Sequence, residues 1–257
     1  MSEGWKYAGA SVIGTSHLSK PDGICQDAHA CAYIDDLSTL VCVVSDGAGS
    51  ATHSDRGARL ACDIVVHEIR HAIPARISER EFALETLAAV RREIQAASGE
   101  ADVPVRNYAC TLLVAIASPG LLTSWQIGDG AICFRTKSDG DFRYVFWPVK
   151  GEYANMTTFV TDAAADSELE FDNAELSVAD LALFSDGLER LILDFAVGEV
   201  HSAFLQALFP HLRRESAGRL ESIEKHMEDF LSSERINKRT DDDKTLILAT
   251  LENDRGL

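Results

Sequence analysis

Apolar residues recur along the chain with two periods, one typical of β-strands and the other of α-helices. Short apolar or alternating runs predict strands, and these cover residues 7–14, 30–34, 39–45, 109–117, 121–127, 131–136, 142–147, 180–185 and 245–251. Apolar stripes at spacings of three and four predict amphipathic helices, which cover residues 55–72, 79–97, 200–213 and 217–231. Strands at both ends, with helices between and after them, indicate an α+β layered domain.

The 257 residues contain no obvious linker, because proline and glycine are dispersed and no repeat of solenoid length occurs. A chain of this length buries roughly three quarters of its unfolded surface when it folds. We therefore expect residues 1–257 to form a single domain, with an irregular excursion at about 150–175.

The chain is strongly acidic, with 41 Asp and Glu against 24 Lys and Arg and a formal net charge of −17. Such a surface repels nucleic acid and anionic lipid, so we expect neither as a partner. The longest apolar run, residues 109–117, is about half of the ~20 residues that a membrane-spanning helix needs. The first residues contain no hydrophobic signal core. Without a spanning segment or a signal core, we expect a cytoplasmic protein. The six cysteines form no C-x-x-C pair and indicate reduced core residues.

Two buried-type strands end in an aspartate that is followed by a glycine, at Asp46-Gly47 and at Asp186-Gly187. An acid at the end of a core strand is costly to desolvate unless it is paired or bound to a metal. The glycine allows another backbone or a ligand to approach closely. By contrast, Asp139-Gly140 lies between two short alternating strands and predicts an ordinary hairpin turn.

Further acids follow or precede core strands, at Asp129 and at Asp241-Asp242-Asp243. Two carboxylates ~4 Å apart repel by about 4 kcal/mol at an effective dielectric constant of ~20, so convergence requires a proton or a cation. Oxygen donors without His or Cys select Mg²⁺ or Mn²⁺ over Zn²⁺. A pair of such ions can activate a water and hold a phosphoryl oxygen, which is the chemistry of phosphate-ester hydrolysis.

In six short motifs the sequence resembles the protein phosphatase 2C family of metal-dependent Ser/Thr phosphatases, in particular its compact bacterial branch. The motifs occur in the family's order: Cys25-Gln26-Asp27-Ala28, Val44-Ser45-Asp46-Gly47, Cys110-Thr111-Leu112, Ile127-Gly128-Asp129-Gly130, Leu183-Phe184-Ser185-Asp186-Gly187 and Asp242-Asp243-Lys244-Thr245-Leu246. The resemblance implies a four-layer α-β-β-α sandwich, with two mainly antiparallel sheets flanked by helices and the metals in a cleft at one end.

The resemblance also implies a binuclear centre of Mn²⁺ or Mg²⁺. Asp46 would bridge the two ions, the carbonyl of Gly47 would bind one of them, and Asp186 and Asp242 would complete the other. Such a centre would hydrolyse phosphoserine and phosphothreonine in a phosphorylated protein, with a cognate kinase as the opposing enzyme.

Two more roles follow from the same motifs. Asp27 would orient the attacking water as a catalytic residue, and Asp129 with Asp186 would hold a third, weaker ion. Residues 151–155 fall where relatives carry a variable flap that influences substrate choice.

The sequence departs from the family where the phosphate is held. Gln26 replaces the usual Glu before the aspartate, and Asp22 stands where many relatives have a phosphate-binding Arg. Lys20, His17 or Arg56 could replace that arginine, and we favour Lys20 as the catalytic cation.

A third departure concerns the leaving group. Ala48 stands where many eukaryotic relatives have a histidine after the Asp-Gly pair, so water or His53 would supply that proton. The departures leave a second hypothesis open, that of a weakly catalytic phosphatase-fold module that binds a phosphorylated partner.

A competing motif, His67-Glu68-Ile69-Arg70-His71, matches the H-E-x-x-H pattern of zinc peptidases on a predicted helix. No third ligand is evident. We therefore interpret the motif as a solvated helix face, with Ile64, Val65 and Ile69 toward the core, and keep the peptidase as a third hypothesis.

Overall fold

The computed structural model describes residues 4–18, 23–148 and 157–252. The strands are β1 (Gly4–Val12), β2 (Ala28–Ile34), β3 (Thr39–Ser45), β4 (Leu112–Ser118), β5 (Leu121–Ile127), β6 (Ala131–Thr136), β7 (Arg143–Tyr144), β8 (Glu170–Ala174), β9 (Val178–Phe184), β10 (Leu193–Asp194), β11 (Glu199–Val200), β12 (Gly218–Arg219) and β13 (Lys244–Glu252). The helices are α1 (Thr15–Leu18), α2 (Ser54–His71), α3 (Arg80–Ala101), α4 (Ala165–Glu168), α5 (Glu189–Ile192), α6 (Ser202–Arg213), α7 (Glu221–Leu231) and α8 (Glu234–Asn237).

Most strands belong to two sheets. One sheet has the order β12-β1-β13-β9-β6-β7, and the other has the order β2-β3-β4-β5-β8. All pairings within the sheets are antiparallel except that of β1 with the two-residue β12. The expected mainly antiparallel α+β architecture is confirmed.

Three apolar clusters separate the four layers. In β3, alternate residues face opposite sides, because successive side chains of a strand point to opposite faces. Leu40, Cys42 and Val44 pack between the two sheets. Val41 and Val43 pack in the cluster with α2 and α3. A third cluster joins the outer face of the other sheet to α6 and α7. The order of layers is therefore helices, sheet, sheet, helices, as expected.

The antiparallel pairing brings several strand ends to one end of the sandwich. The carboxyl ends of β3 and β5 lie beside the amino ends of β2 and β4, because each of these strands is antiparallel to its neighbour. In the other sheet, the carboxyl ends of β1 and β9 lie beside the amino end of β13. The motifs noted in the sequence follow or precede these strand ends.

Several predicted bounds shift by a few residues, and two predicted segments differ more from the structure. Only Arg143–Tyr144 forms a strand within residues 142–147. The excursion at about 150–175 contains the edge strand β8, which pairs with β5. Its sequence is mostly polar and only Phe171 packs on the core, so it lacks the apolar run that marked the other strands. Within the residues described, no helix is both long and apolar enough to span a bilayer.

A buried carboxylate on β9 is hydrogen-bonded to side chains of β6, β13 and α6. Asp180 on β9 is 1% exposed. Its Oδ2 accepts hydrogen bonds from Arg135 and Arg213, and its Oδ1 accepts one from Thr250 Oγ1 at 2.7 Å. Burial strengthens such a network but makes the loss of one partner costly.

We expect Asp180→Ala to lower the free energy of unfolding by about 2–4 kcal/mol, slightly below the range for a fully buried pair because both arginines are partly exposed. Asp139→Ala is the control, because its pairing with Arg143 is more exposed to solvent and should therefore contribute less to stability. Urea unfolding of both variants measures the difference. Equal losses would show that the Asp180 network does not stabilise the fold.

Candidate metal site and active-site cleft

The strand ends of the two sheets enclose an acidic cleft of about 160 Å³. The acids in its lining are Asp46, Asp129, Asp186, Asp242 and Asp243. Among the described residues of the lining, His17 is the one basic side chain. The cleft therefore concentrates negative charge and attracts cations.

Asp46 is held by the segment that leads into β4. Its backbone N–H donates to Thr111 Oγ1 at 2.9 Å, and its carbonyl accepts from the N–H of Thr111 at 2.8 Å. Ser45 Oγ donates to the carbonyl of Thr111 at 2.6 Å. A Cβ on Gly47 would lie 2.5 Å from the carbonyl oxygen of Gln26. Glycine is thus needed here for a close approach of two backbone segments.

Asp186 lies opposite Asp46 at the end of β9. A Cβ on the next residue, Gly187, would lie 2.0 Å from the carbonyl oxygen of Asp243. The side chains of Asp46 and Asp186 share a hydrogen bond. Burial, followed by the charges of Asp27 and Asp186, raises the pKa of Asp46 well above its usual range. In the absence of a cation, protonation is the way in which this pair of carboxyl groups can relieve its repulsion.

Asp27 lies just before β2 and is 6% exposed. Its Oδ2 accepts hydrogen bonds from Ser185 Oγ at 2.7 Å and from Thr245 Oγ1 at 2.8 Å. Its Oδ1 has no hydrogen-bond partner among the described residues. Burial raises the pKa of Asp27 to about 7, against the two hydroxyl donors and with the charges of Asp243 and Asp186. The hydroxyl donors hold the carboxyl group in one orientation.

Asp243 is a residue of the site to which the sequence assigned no role. It is 3% exposed. Its Oδ1 accepts from the N–H of Gly14 at 2.6 Å, and its Oδ2 accepts from the N–H of Gln26 at 2.6 Å and from His17 Nδ1 at 3.0 Å. These contacts fix both ends of the segment that joins β1 to β2. An acid just before a core strand was the available sequence signal, and it applied equally to Asp242, which is exposed in the structure.

Asp129 is fixed by the loop between β5 and β6. Gln126 Nε2 donates to the carbonyls of Gly128 and Gly130, both at 3.2 Å. Glu189 Oε1 accepts from the N–H of Gly130 at 2.9 Å. Thr157 Oγ1 donates to Asp129 Oδ2 at 2.9 Å. The loop is thereby tied to the end of the sheet that carries Asp186.

Of the residues suggested for phosphate binding or proton donation, one lies in the cleft, and the others lie outside it or outside the described residues. Lys20, Asp22 and residues 151–155 lie outside the described residues. His17 lies in the cleft, whereas Arg56 is exposed and its Cζ lies 5.7 Å from the ring centroid of Tyr108. His53 is absent from the described lining, and its Nδ1 lies 2.9 Å from Thr52 Oγ1.

The H-E-x-x-H motif lies on the outer side of α2. His67 and His71 are exposed, and His71 Nδ1 donates to the carbonyl of His67 at 2.8 Å. Val65 and Ile69 are fully buried. The interpretation as a solvated helix face agrees with this placement.

The donor set in the cleft fits a hard divalent cation. Within residues 4–18, 23–148 and 157–252, no three His, Cys, Asp or Glu side chains form a metal-binding group on their own. Mg²⁺ usually binds one or two carboxylates and keeps several waters, so a pair with additional oxygen donors suffices. Asp46 and Asp186 supply such a pair, and Gly47 and Asp242 line the same cleft. All these groups offer oxygen, which disfavours zinc.

The layered sandwich and its acidic cleft define a class of metal-dependent phosphoester hydrolases. A family model described as protein phosphatase 2C matches residues 13–232. The chain is 35% identical over 254 residues to serine/threonine-protein phosphatase 3 of Escherichia coli K12, covering 95% of this chain and 98% of the relative. The chain therefore belongs to the protein phosphatase 2C family, which is metal-dependent.

Solved structures share the fold. Serine/threonine phosphatase Stp1 from Staphylococcus aureus superposes with a TM-score of 0.66 at 14% identity, covering 98% of each chain. RsbX, solved in complex with magnesium, superposes with a TM-score of 0.58 at 14% identity, again covering 98% of each chain. At this identity the similarity concerns the fold alone.

The sequence Ser-Asp-Gly occurs both in the cleft, at residues 185–187, and in a turn, at residues 138–140. The two glycines therefore provide a matched test of the close backbone approach in the cleft. We expect Gly187→Ala to lower the free energy of unfolding by about 1–3 kcal/mol, because its Cβ would overlap the Asp243 carbonyl. Gly140→Ala is the control, because no atom lies within 4 Å of its Cβ position. Thermal unfolding measures both. If Gly140→Ala were equally destabilising, close approach would not explain the requirement for glycine in the cleft.

A second test concerns the charge of the metal-free cleft. A raised pKa in the folded state means that the stability contributed by the protonated carboxyl group is complete below about pH 4 and is lost as the pH rises through the folded pKa. In EDTA, we therefore expect Asp46→Asn to be more stable than the wild type, by a margin that grows from pH 5 to pH 8. Thermal unfolding across this range measures the margin. A stability difference between the variant and the wild type that does not depend on pH would contradict the raised pKa of Asp46.

Proposed function

We propose that this protein is a metal-dependent phosphatase that hydrolyses phosphoserine and phosphothreonine in proteins. The observation that carries the proposal is the convergence of acidic strand ends from both sheets in one cleft. Membership of the protein phosphatase 2C family and the similarity to an Escherichia coli serine/threonine-protein phosphatase support the same activity.

Our proposal assigns two Mn²⁺ or Mg²⁺ ions to the cleft. Asp46 would bridge them, the carbonyl of Gly47 would bind one, and Asp186 and Asp242 would complete the other. Asp129 with Asp186 would hold a third, weaker ion. When bound, the ions supply an activated water and neutralise the charge of the phosphoryl group. The raised pKa of Asp46 beside Asp186 supports this assignment, because a cation relieves the same repulsion between carboxylates.

The protein itself contributes orientation. Asp27 positions the water that attacks phosphorus, as a catalytic residue whose Oδ1 remains available while Ser185 and Thr245 hold Oδ2. Thr111 and Asp243 hold the backbone segments around the cleft in place. Lys20, which lies outside the described residues, is the cation that we favour for binding the phosphate.

The protein's partners and location follow as parts of the proposal. The substrate is a phosphorylated protein, and a cognate kinase supplies it. Nucleic acid and membrane are not partners. All six cysteines are free, which fits a reducing cytoplasm.

The alternative of a weakly catalytic binding module makes the opposite kinetic prediction. Full-length protein with Mn²⁺ should release phosphate from a phosphothreonine peptide over many turnovers, and EDTA should stop the reaction. Binding of the peptide without turnover at any divalent metal would favour the module and contradict our proposal.

Asp46→Asn tests the metal site without removing a contact on which the fold depends. We expect this variant to lose activity by about 10²-fold or more, because a bridging carboxylate is removed. Mn²⁺ at 100 times its Kd stabilises a folded protein by about 2.7 kcal/mol, and Asp46→Asn should lose that gain in Tm. Asp139→Asn, outside the cleft, is the control and should keep both. Retention of the Mn²⁺ effect by Asp46→Asn would refute the assignment.

A further inference from the structure

The cleft presents many acids but few proton donors for a leaving group. The position that carries a histidine in many eukaryotic relatives is Ala48, which lies in the cleft lining without a polar side chain. A serine or threonine oxygen leaves as an alkoxide unless it receives a proton during bond cleavage, and general acids supply that proton in many hydrolases. The described residues of the lining include one basic side chain, that of His17.

His17 is held in the cleft by a buried pairing with Asp243. It is 7% exposed, and its partner Asp243 is 3% exposed. Nδ1 of His17 lies 3.0 Å from Oδ2 of Asp243, so Nδ1–H donates to the carboxylate. A carboxylate at Nδ1 fixes the tautomer and the orientation of the ring, as in other Asp-His pairs. Nε2 is then the ring nitrogen that remains for a ligand in the cleft.

Asp243 is suited to this role because its own contacts fix its position. Its two oxygens accept three hydrogen bonds, from Gly14, His17 and Gln26. The N–H of His17 donates to the carbonyl of Gly14 at 3.1 Å, which anchors the backbone beside the ring. The pair thus has a defined geometry in the structure.

We propose that His17 is the general acid for the leaving oxygen, with Asp243 as its positioning residue. Water attacks phosphorus and forms the new P–O bond, while the bond from phosphorus to the serine or threonine oxygen breaks. The leaving oxygen keeps the electron pair and takes the proton from Nε2 of His17. The proton lost by the water restores the imidazolium through solvent, so the products are the free hydroxyl and inorganic phosphate. This assignment rests on the proposed phosphatase function.

His53 was the histidine suggested by the sequence for this proton, and its placement is less suitable. It lies outside the described cleft lining, its Nδ1 pairs with Thr52, and its ring centroid lies 5.3 Å from that of Tyr108. The described hydrogen bonds of its ring include none to a carboxylate. His53 is therefore the matched control.

The leaving group distinguishes a general acid from other roles. p-Nitrophenolate leaves as a stable anion and needs little protonation, whereas a threonine alkoxide needs it fully. His17→Asn keeps a donor for Asp243 but has no transferable proton. Single-turnover rates of the full-length chain with Mn²⁺ are compared on a phosphothreonine peptide and on p-nitrophenyl phosphate.

We expect His17→Asn to slow the peptide reaction by about 10²–10⁴-fold and the p-nitrophenyl phosphate reaction by at least tenfold less. His53→Asn should change neither rate appreciably. An unchanged gain in Tm with Mn²⁺ shows that His17→Asn retains the fold and the metal site; if it does not, His17→Gln is judged by the same ratio of losses.

Losses on the two substrates that differ by less than tenfold would overturn the assignment, because a phosphate contact or a structural role affects both reactions alike. Selective loss of the peptide reaction in His53→Asn would also overturn it. A wild-type protein that turns over neither substrate would instead refute the proposed function, so the two failures are distinguishable.

Discussion

Mutual repulsion between carboxylates at one end of the sandwich is the constraint on which the site depends. Two such charges ~4 Å apart repel by about 4 kcal/mol at an effective dielectric constant of ~20. The backbone pairing of two sheets nevertheless brings Asp46 and Asp186 into contact. The fold therefore contains an unfavourable interaction that a proton or a divalent cation relieves, which links the stability of this region to its function.

Short polar contacts between distant segments hold this arrangement together. Thr111 fixes the segment with Asp46, and Asp243 fixes the connection between β1 and β2. Gly47 and Gly187 allow the backbones to approach to distances that no side chain permits. The same contacts place His17 beside the acidic cleft, so one set of interactions supports both the metal ligands and the leaving-group acid in our account.

Much of the fold was predictable because the apolar pattern and the turn residues of the sequence indicate the same strands. Residues 39–45, 121–127 and 131–136 form strands with the predicted bounds, since apolar runs there end at turn residues. The edge strand β8 was missed because its polar sequence is stabilised by pairing with β5. Within the site, Asp243 and His17 are 226 residues apart. Their pairing depends on tertiary structure, so the sequence showed the acids but could not distinguish the role of Asp243 from that of Asp242.

A crystal structure of the Mn²⁺-loaded protein with anomalous diffraction at the manganese edge would show directly whether the acids of the cleft form one binuclear centre. We expect two anomalous peaks in the cleft, both within coordination distance of an Asp46 carboxylate oxygen, with Asp186 and Asp242 contacting one of them. Manganese bound elsewhere, or a fully loaded crystal in which Asp46 contacts no ion, would contradict this expectation.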